Sequence, residues 1–184
     1  MDFETKFFNR ISVLLKDQNS NFERELQTVL RNASAKHELG GGNTVRRIME
    51  CCTAELKRSI DLLVTTSIEM IELSQKSISS EKLVGILQPH FASQLELINE
   101  AKLKALKTNQ PRDLSQNVIE ASSIMEKYNL FESEAKYRIE KELLVLKENR
   151  GKTLKDRIIN RLNNSWLYLI LLTVFGVFAW LYKG

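Results

Sequence analysis

The feature that most constrains this chain is residues 166–182, a run of 17 residues without a charged side chain, WLYLILLTVFGVFAWLY. A helix rises about 1.5 Å per residue, so such a run with its flanks is close to the shortest that crosses a hydrocarbon core of roughly 30 Å. Trp166 and Tyr168 stand at one end and Trp180 and Tyr182 at the other. Aromatic side chains are enriched at both membrane–water interfaces. The run is therefore predicted to be a transmembrane helix anchored by these four residues.

Residues 150–165, directly before this run, hold most of the excess positive charge. Residues 1–149 are nearly neutral, with 21 Lys or Arg and 22 Asp or Glu. The juxtamembrane residues contain one acidic and five basic side chains, namely Arg150, Lys152, Lys155, Arg157 and Arg161. Apolar residues recur at every fourth position here, which favours an amphipathic helix lying on the bilayer. Its basic side chains would bind anionic lipid headgroups, each contributing on the order of 1 kcal/mol. A topology signal without lipid specificity is the alternative.

The distribution of charge also predicts the orientation. Five basic residues precede the apolar run and Lys183 follows it, so the positive-inside rule places residues 1–149 in the cytoplasm. With 183–184 as a short tail, the expected topology is tail-anchored and single-pass. The N-terminal residues lack the basic region and apolar core of a signal peptide. A bacterial inner membrane is favoured and the endoplasmic reticulum is possible, since both tolerate a short span.

Residues 1–149 carry apolar side chains at helical spacing and no sustained alternation of the kind that strands show. The first predicted helix ends at about Asp17. The other four run from Phe22 to shortly before Gly40, from Asn43 or Thr44 to Ile78, from Ser80 to Leu106, and from Leu114 to Leu146. Gln18–Ser20 is read as a turn, and Pro89 is expected to kink or divide the fourth helix. The fold class is all-α, a single cytosolic antiparallel bundle with long coiled-coil-like helices, plus the transmembrane helix.

Few residues form a pattern that carries chemistry. The glycines at 40–42 lack the preceding strand and the Lys-Ser/Thr pair of a phosphate-binding loop, so they are read as a flexible break. His37 and His90 have no partner at metal-ligand spacing. Cys51 and Cys52 are adjacent and are read as small packing residues, with thioacylation left open. No catalytic residue, cofactor or metal is expected, and the chain is not expected to be an enzyme.

Basic pairs on the third predicted helix do not indicate a nucleic-acid surface. Arg46, Arg47, Lys57 and Arg58 stand near Glu50, Glu55 and Asp61 in a domain of balanced charge. Nucleic-acid binding calls for a basic patch, so this face is read as solvated and joined by salt bridges, and no nucleic acid is expected as a partner.

Two classes of function remain. The first is a membrane-tethered protein-interaction or scaffold module, which binds an unidentified protein partner or a second copy of itself in addition to the bilayer. The second is a membrane-active effector, an oligomerising pore or a fusion-type device. The apolar run has no polar stripe, and a conducting helix would normally carry one. The first class is therefore preferred.

Overall fold

The computed structural model describes residues 3–109 and 124–151. This part of the chain consists of four α-helices and contains no strand, so the predicted all-α class is confirmed. The helices are α1 (Phe3–Ala35), α2 (Gly42–Ser74), α3 (Ser80–Asn109) and α4 (Ile124–Gly151).

Helix α1 is continuous, so the turn predicted at Gln18–Ser20 is wrong. Neither glycine nor proline interrupts this stretch, and the hydroxyl of Ser20 donates to the carbonyl of Lys16 within the helix. The buried residues Leu15 and Phe22 lie seven positions apart on one face. Two helical turns separate them, so the apolar face keeps its phase through the polar residues.

The connection between α1 and α2 lies where the glycines predict a break. His37 adopts a left-handed conformation (φ 56°), and the Glu38 amide donates to the Ala33 carbonyl at 2.8 Å, which closes the end of α1. Gly40 has φ 82°, and its amide donates to Asn109 Oδ1 at 3.0 Å. The end of α3 thereby holds this turn. The predicted break at residues 40–42 is therefore shorter than the three glycines, because Gly42 already belongs to α2.

Two further boundaries differ from the predictions. Helix α2 ends at Ser74, one turn before Ile78, because Gln75 takes a left-handed conformation (φ 53°). Ser79 caps α3, and its hydroxyl accepts from the Lys82 amide at 3.3 Å. Pro89 does not divide α3, which continues to Asn109. A helix can pass through a proline when tertiary packing offsets the lost backbone hydrogen bond.

Contacts between side chains fix the directions of the helices. Near the start of α1, Arg10 pairs with Glu69, and further along Glu25 pairs with Arg58, so α1 and α2 run antiparallel. Helices α2 and α3 are also antiparallel, since Ser59 meets Gln94 while Gly40 meets Asn109. Helix α2 makes the most extensive contacts, with α3 on one side and with α1 on another. The largest fully buried side chains are Phe7, Ile11, Phe22, Ile48, Leu56, Leu63, Ile71, Leu83, Leu87, Phe91, Ile98 and Ile139.

The chain divides into two units, Met1–Leu143 and Leu144–Gly184. The described residues of the second unit are the last turns of α4. Among the helices in 3–109 and 124–151, none is both long and apolar enough to cross a membrane. The predicted span, 166–182, lies outside these residues. So does all but the beginning of the predicted amphipathic juxtamembrane helix at 150–165, which we call the collar.

Two glycines in the first connection test its geometry. Replacing Gly40 with Ala should destabilise the bundle by about 1 kcal/mol, because φ 82° is strained for any residue with a Cβ. Gly42→Ala is the matched control, since a Cβ there meets nothing within 4 Å, and it should be neutral or slightly stabilising. Urea unfolding of the chain in detergent, followed by circular dichroism, measures both. Equal losses in the two variants would contradict the assigned turn.

Candidate functional site

A buried polar cluster joins three helices at the middle of the bundle. Gln18 of α1 donates from Nε2 to Glu55 Oε1 at 2.8 Å and to Ser59 Oγ at 3.0 Å, both on α2. The Ser59 hydroxyl lies 3.4 Å from Glu55 Oε1 and 3.5 Å from Gln94 Oε1 of α3. Glu55, Ser59 and Gln94 are all buried. We call Gln18, Glu55, Ser59 and Gln94 the polar layer.

An ion pair at the surface covers the polar layer on the α1–α2 side. Arg58 donates to both carboxylate oxygens of Glu25, at 2.9 and 2.7 Å. The same guanidinium places Nε 3.2 Å from Glu55 Oε2, an ion pair without hydrogen-bond alignment. This arrangement connects a buried carboxylate to solvent-exposed charges.

The pKa values of the Glu25 and Glu55 carboxyl groups shift in opposite directions. Hydrogen bonds from Arg58 lower the pKa of Glu25, whereas burial raises the pKa of Glu55 despite the bond from Gln18 and the charge of Arg58. Burial of a carboxylate disfavours its ionised form. Glu55 is therefore the costly member of the network.

An open groove of about 780 Å³ runs over this ion pair between α1 and α2. Its lining includes Gln18, Arg24, Glu25, Glu50, Cys51 and Arg58. Burial raises the pKa of the Cys51 thiol to about 11 and that of Cys52 to about 12. Both groups are thus protonated at neutral pH and are weak nucleophiles there. Cys52 is fully buried, as its predicted packing role requires, and Cys51 is half-buried.

Helix α4 meets α2 through long side chains. Arg138 donates to Asp61 Oδ1 at 3.3 Å and to Thr65 Oγ1 at 2.9 Å. Lys57 Nζ lies 5.6 Å from the centre of the Phe131 ring, a cation–π contact. Grooves of about 290 and 480 Å³ lie along this seam, and both are lined by Lys57 and Phe131.

The side of α4 that faces away from the bundle exposes apolar residues. Leu130 is 50% exposed and Tyr137 is 70% exposed. Tyr128, Ala135 and Ile139 of the same helix are buried. Residues seven apart share one helix face, so Leu130 and Tyr137 lie on a common exposed surface.

Most of the sequence-predicted site residues lie outside the described part of the chain. Arg150 is in the last turn of α4. The residues beyond the described range are Lys152, Lys155, Arg157 and Arg161 of the collar and Trp166, Tyr168, Trp180 and Tyr182 of the span. Their roles stay predictions. Within 3–109 and 124–151, no group of three His, Cys, Asp or Glu side chains is placed to hold a metal ion.

The salt bridges predicted on α2 are present for Arg46 with Glu50 and for Arg58 with Glu55, but the prediction that Glu55 is solvated is wrong. Arg46 pairs with Glu50 at 3.5 Å on the surface. Glu55 is buried, and the sequence contained a signal for this. It lies three positions after Cys52 and four before Ser59, so it belongs to the apolar face of the helix and not to the charged one.

Comparison with family models, with curated proteins and with solved structures finds no match for the chain.

The polar layer makes a prediction about stability. Glu55→Ala should destabilise the bundle by about 2–4 kcal/mol, because it removes the buried oxygen that accepts from both Gln18 and Ser59. Glu50→Ala, which removes an exposed partner of Arg46, is the control and should cost less than about 1 kcal/mol. Urea unfolding of the chain in detergent compares them. Similar values for the two variants would show that Glu55 does not hold the helices together.

His90 gives the stability of the bundle a pH dependence. Its ring lies 5.3 Å from the Phe8 ring between α1 and α3, and burial lowers its pKa. The unfolded chain then binds a proton more readily, so His90 contributes stability that is present above about pH 6.5 and is lost as pH falls below it. Unfolding at pH 7.5 and at pH 5.5 should show a loss in the natural chain that is smaller in His90→Gln. An equal loss in both would assign the effect to other groups.

Proposed function

We propose that this chain is a single-pass membrane protein whose helical domain acts as a protein-interaction or scaffold module on the cytoplasmic side of a membrane. The observation that carries the proposal is the uncharged, aromatic-bracketed run 166–182, which follows a domain of balanced charge. A run of this composition partitions into a bilayer, whereas the charged helices before it do not.

The basic residues at 150–165 support the orientation. Five positive charges on one side of an apolar run favour retention of that side in the cytoplasm. Their attraction to anionic headgroups would hold the base of the helical domain near the surface. A bacterial inner membrane is the favoured location.

The exposed apolar surface of α4 supports an interaction role. Leu130 and Tyr137 lie on a helix face that the described bundle leaves uncovered. Apolar anchors at helical spacing are the usual means by which one helix docks against another. Attachment to a membrane raises the local concentration of such a surface, so even a weak contact becomes effective.

Anchoring is tested by charge substitution within the run. Replacing both Leu171 and Val174 with Lys should release the protein from membranes on alkaline carbonate extraction, because each central Lys costs roughly 3 kcal/mol on insertion. The natural chain and the control Val13→Lys, an exposed position of α1, should stay in the pellet. Extraction of the natural chain itself would refute the proposal.

Sealed membrane vesicles test the orientation. Protease added to sealed, cytoplasm-side-out vesicles should digest residues 1–149, whereas protection would contradict the assigned side.

Proximity labelling tests the interaction role. A labelling enzyme fused before Met1 of the natural chain should mark a recurrent set of proteins. The double Lys variant should lose that set, and an unchanged set would show that tethering is not what brings the partners together.

A further inference from the structure

The exposed face of α4 carries charges in a regular order beside its apolar residues. Glu134 and Lys141 are both exposed and lie on one flank of the row formed by Leu130 and Tyr137. In the sequence the same flank continues the alternation in steps of seven, with Lys127 before Glu134 and Glu148 after Lys141. From the N-terminal end the charges run positive, negative, positive, negative. From the C-terminal end they run in the opposite order, so the reversed helix carries the opposite charge at each position.

A surface whose charges reverse sign on reversal of the helix is complementary to itself. We infer that α4 docks antiparallel on α4 of a second copy of this chain, about a two-fold axis near Tyr137. The inference rests on the proposed function, since it names the partner of the interaction module. The two Tyr137 rings then meet at the axis, and Glu134 of each copy faces Lys141 of the other. Such an isologous contact forms each ion pair twice.

The ion pairs within the bundle favour this orientation over a parallel one. Among the described residues, neither Glu134 nor Lys141 takes part in an ion pair. A parallel pair would instead bring Lys141 beside Lys136 of the second copy, because flanking positions five residues apart meet when two helices run parallel, and the two charges would repel. Lys136 is half-buried and already pairs with Glu132 at 2.8 Å. Antiparallel docking therefore uses the charges that the fold leaves available.

The opposite face of α4 explains why this surface stays exposed. Tyr128, Ala135 and Ile139 are buried against the bundle, and Arg138 is bound to Asp61. Those contacts fix the rotation of the helix about its axis. Tyr137 is consequently held in solvent, 70% exposed, where burial of its ring against a second copy removes a large apolar surface from water.

Charge exchange tests the pairing. The full chain in detergent is compared by sedimentation equilibrium with Glu134→Lys, Lys141→Glu and the variant that carries both. Each single change should weaken dimerisation by about tenfold, because two symmetric ion pairs become repulsive. The double variant should return to within about threefold of the natural chain. Lys16→Glu, an exposed charge reversal on α1, is the control and should have no effect.

Three results would overturn the inference. The natural chain could be monomeric throughout, the single variants could dimerise as well as the natural chain, or the double variant could dimerise less well than either single one. A parallel pair would give the second result, since Lys141→Glu would then replace the like charges at positions 141 and 136 with opposite ones and would not weaken dimerisation. If membrane extraction and labelling behave as proposed, any of these results refutes self-docking alone.

Cysteine cross-linking provides a second measurement that does not depend on affinity. Under mild oxidation, Tyr137→Cys should form a disulfide-linked dimer beyond the background of the natural chain. Leu130→Cys should not, because a two-fold axis at 137 places the two 130 positions 14 residues apart along the pair, about 20 Å. Efficient cross-linking of Leu130→Cys would contradict antiparallel docking.

Discussion

The rest of the bundle depends on the buried carboxylate of Glu55. Its Oε1 accepts from Gln18 of α1 and lies beside Ser59 of α2, and the Ser59 hydroxyl in turn reaches Gln94 of α3. Burial of a charge costs several kcal/mol unless hydrogen bonds and an opposite charge offset it. Arg58 supplies the opposite charge, and Glu25 in turn holds Arg58. A shift of α1 by one residue along α2 would separate Gln18 from Glu55 and Glu25 from Arg58, so these contacts specify the register of the two helices.

Helix α4 is joined to the other three in a different manner. Its contacts with α2 pass through Arg138, Lys57 and Phe131, whose side chains bridge a seam with grooves along it. The seam fixes which face of α4 is turned inward and leaves Leu130 and Tyr137 outside. The register of the first three helices and the exposed surface of the fourth are thus separate features, and we assign the interaction role to the second.

The hydrophobic period of the sequence predicts the helical class and most of the core, because one face must be apolar in any packed helix. It fails at Gln18–Ser20, where a polar stretch resembles a turn although Leu15 and Phe22 remain in phase across it. It also fails at Glu55, whose charged neighbours suggest solvent. Only the partners across the bundle show that this carboxylate lies inside. Tertiary contacts, which the local sequence does not contain, decide both cases.

Only the charge pattern of the exposed face of α4 is readable from the sequence. The alternation of Lys127, Glu134 and Lys141 at steps of seven is visible in the printed chain. What the sequence does not reveal is which side of the helix the bundle covers. That depends on Arg138 and Ile139 meeting α2 and the core.

The claim that the polar layer unites α1, α2 and α3 is tested most directly by native-state hydrogen exchange of the full chain in detergent. Amides near Gln18, Ser59 and Gln94 should open with one common free energy, equal to that of global unfolding, and Glu55→Ala should lower it equally in all three helices. Amides of α1 that exchange through a separate, much smaller opening in the natural chain would contradict the account.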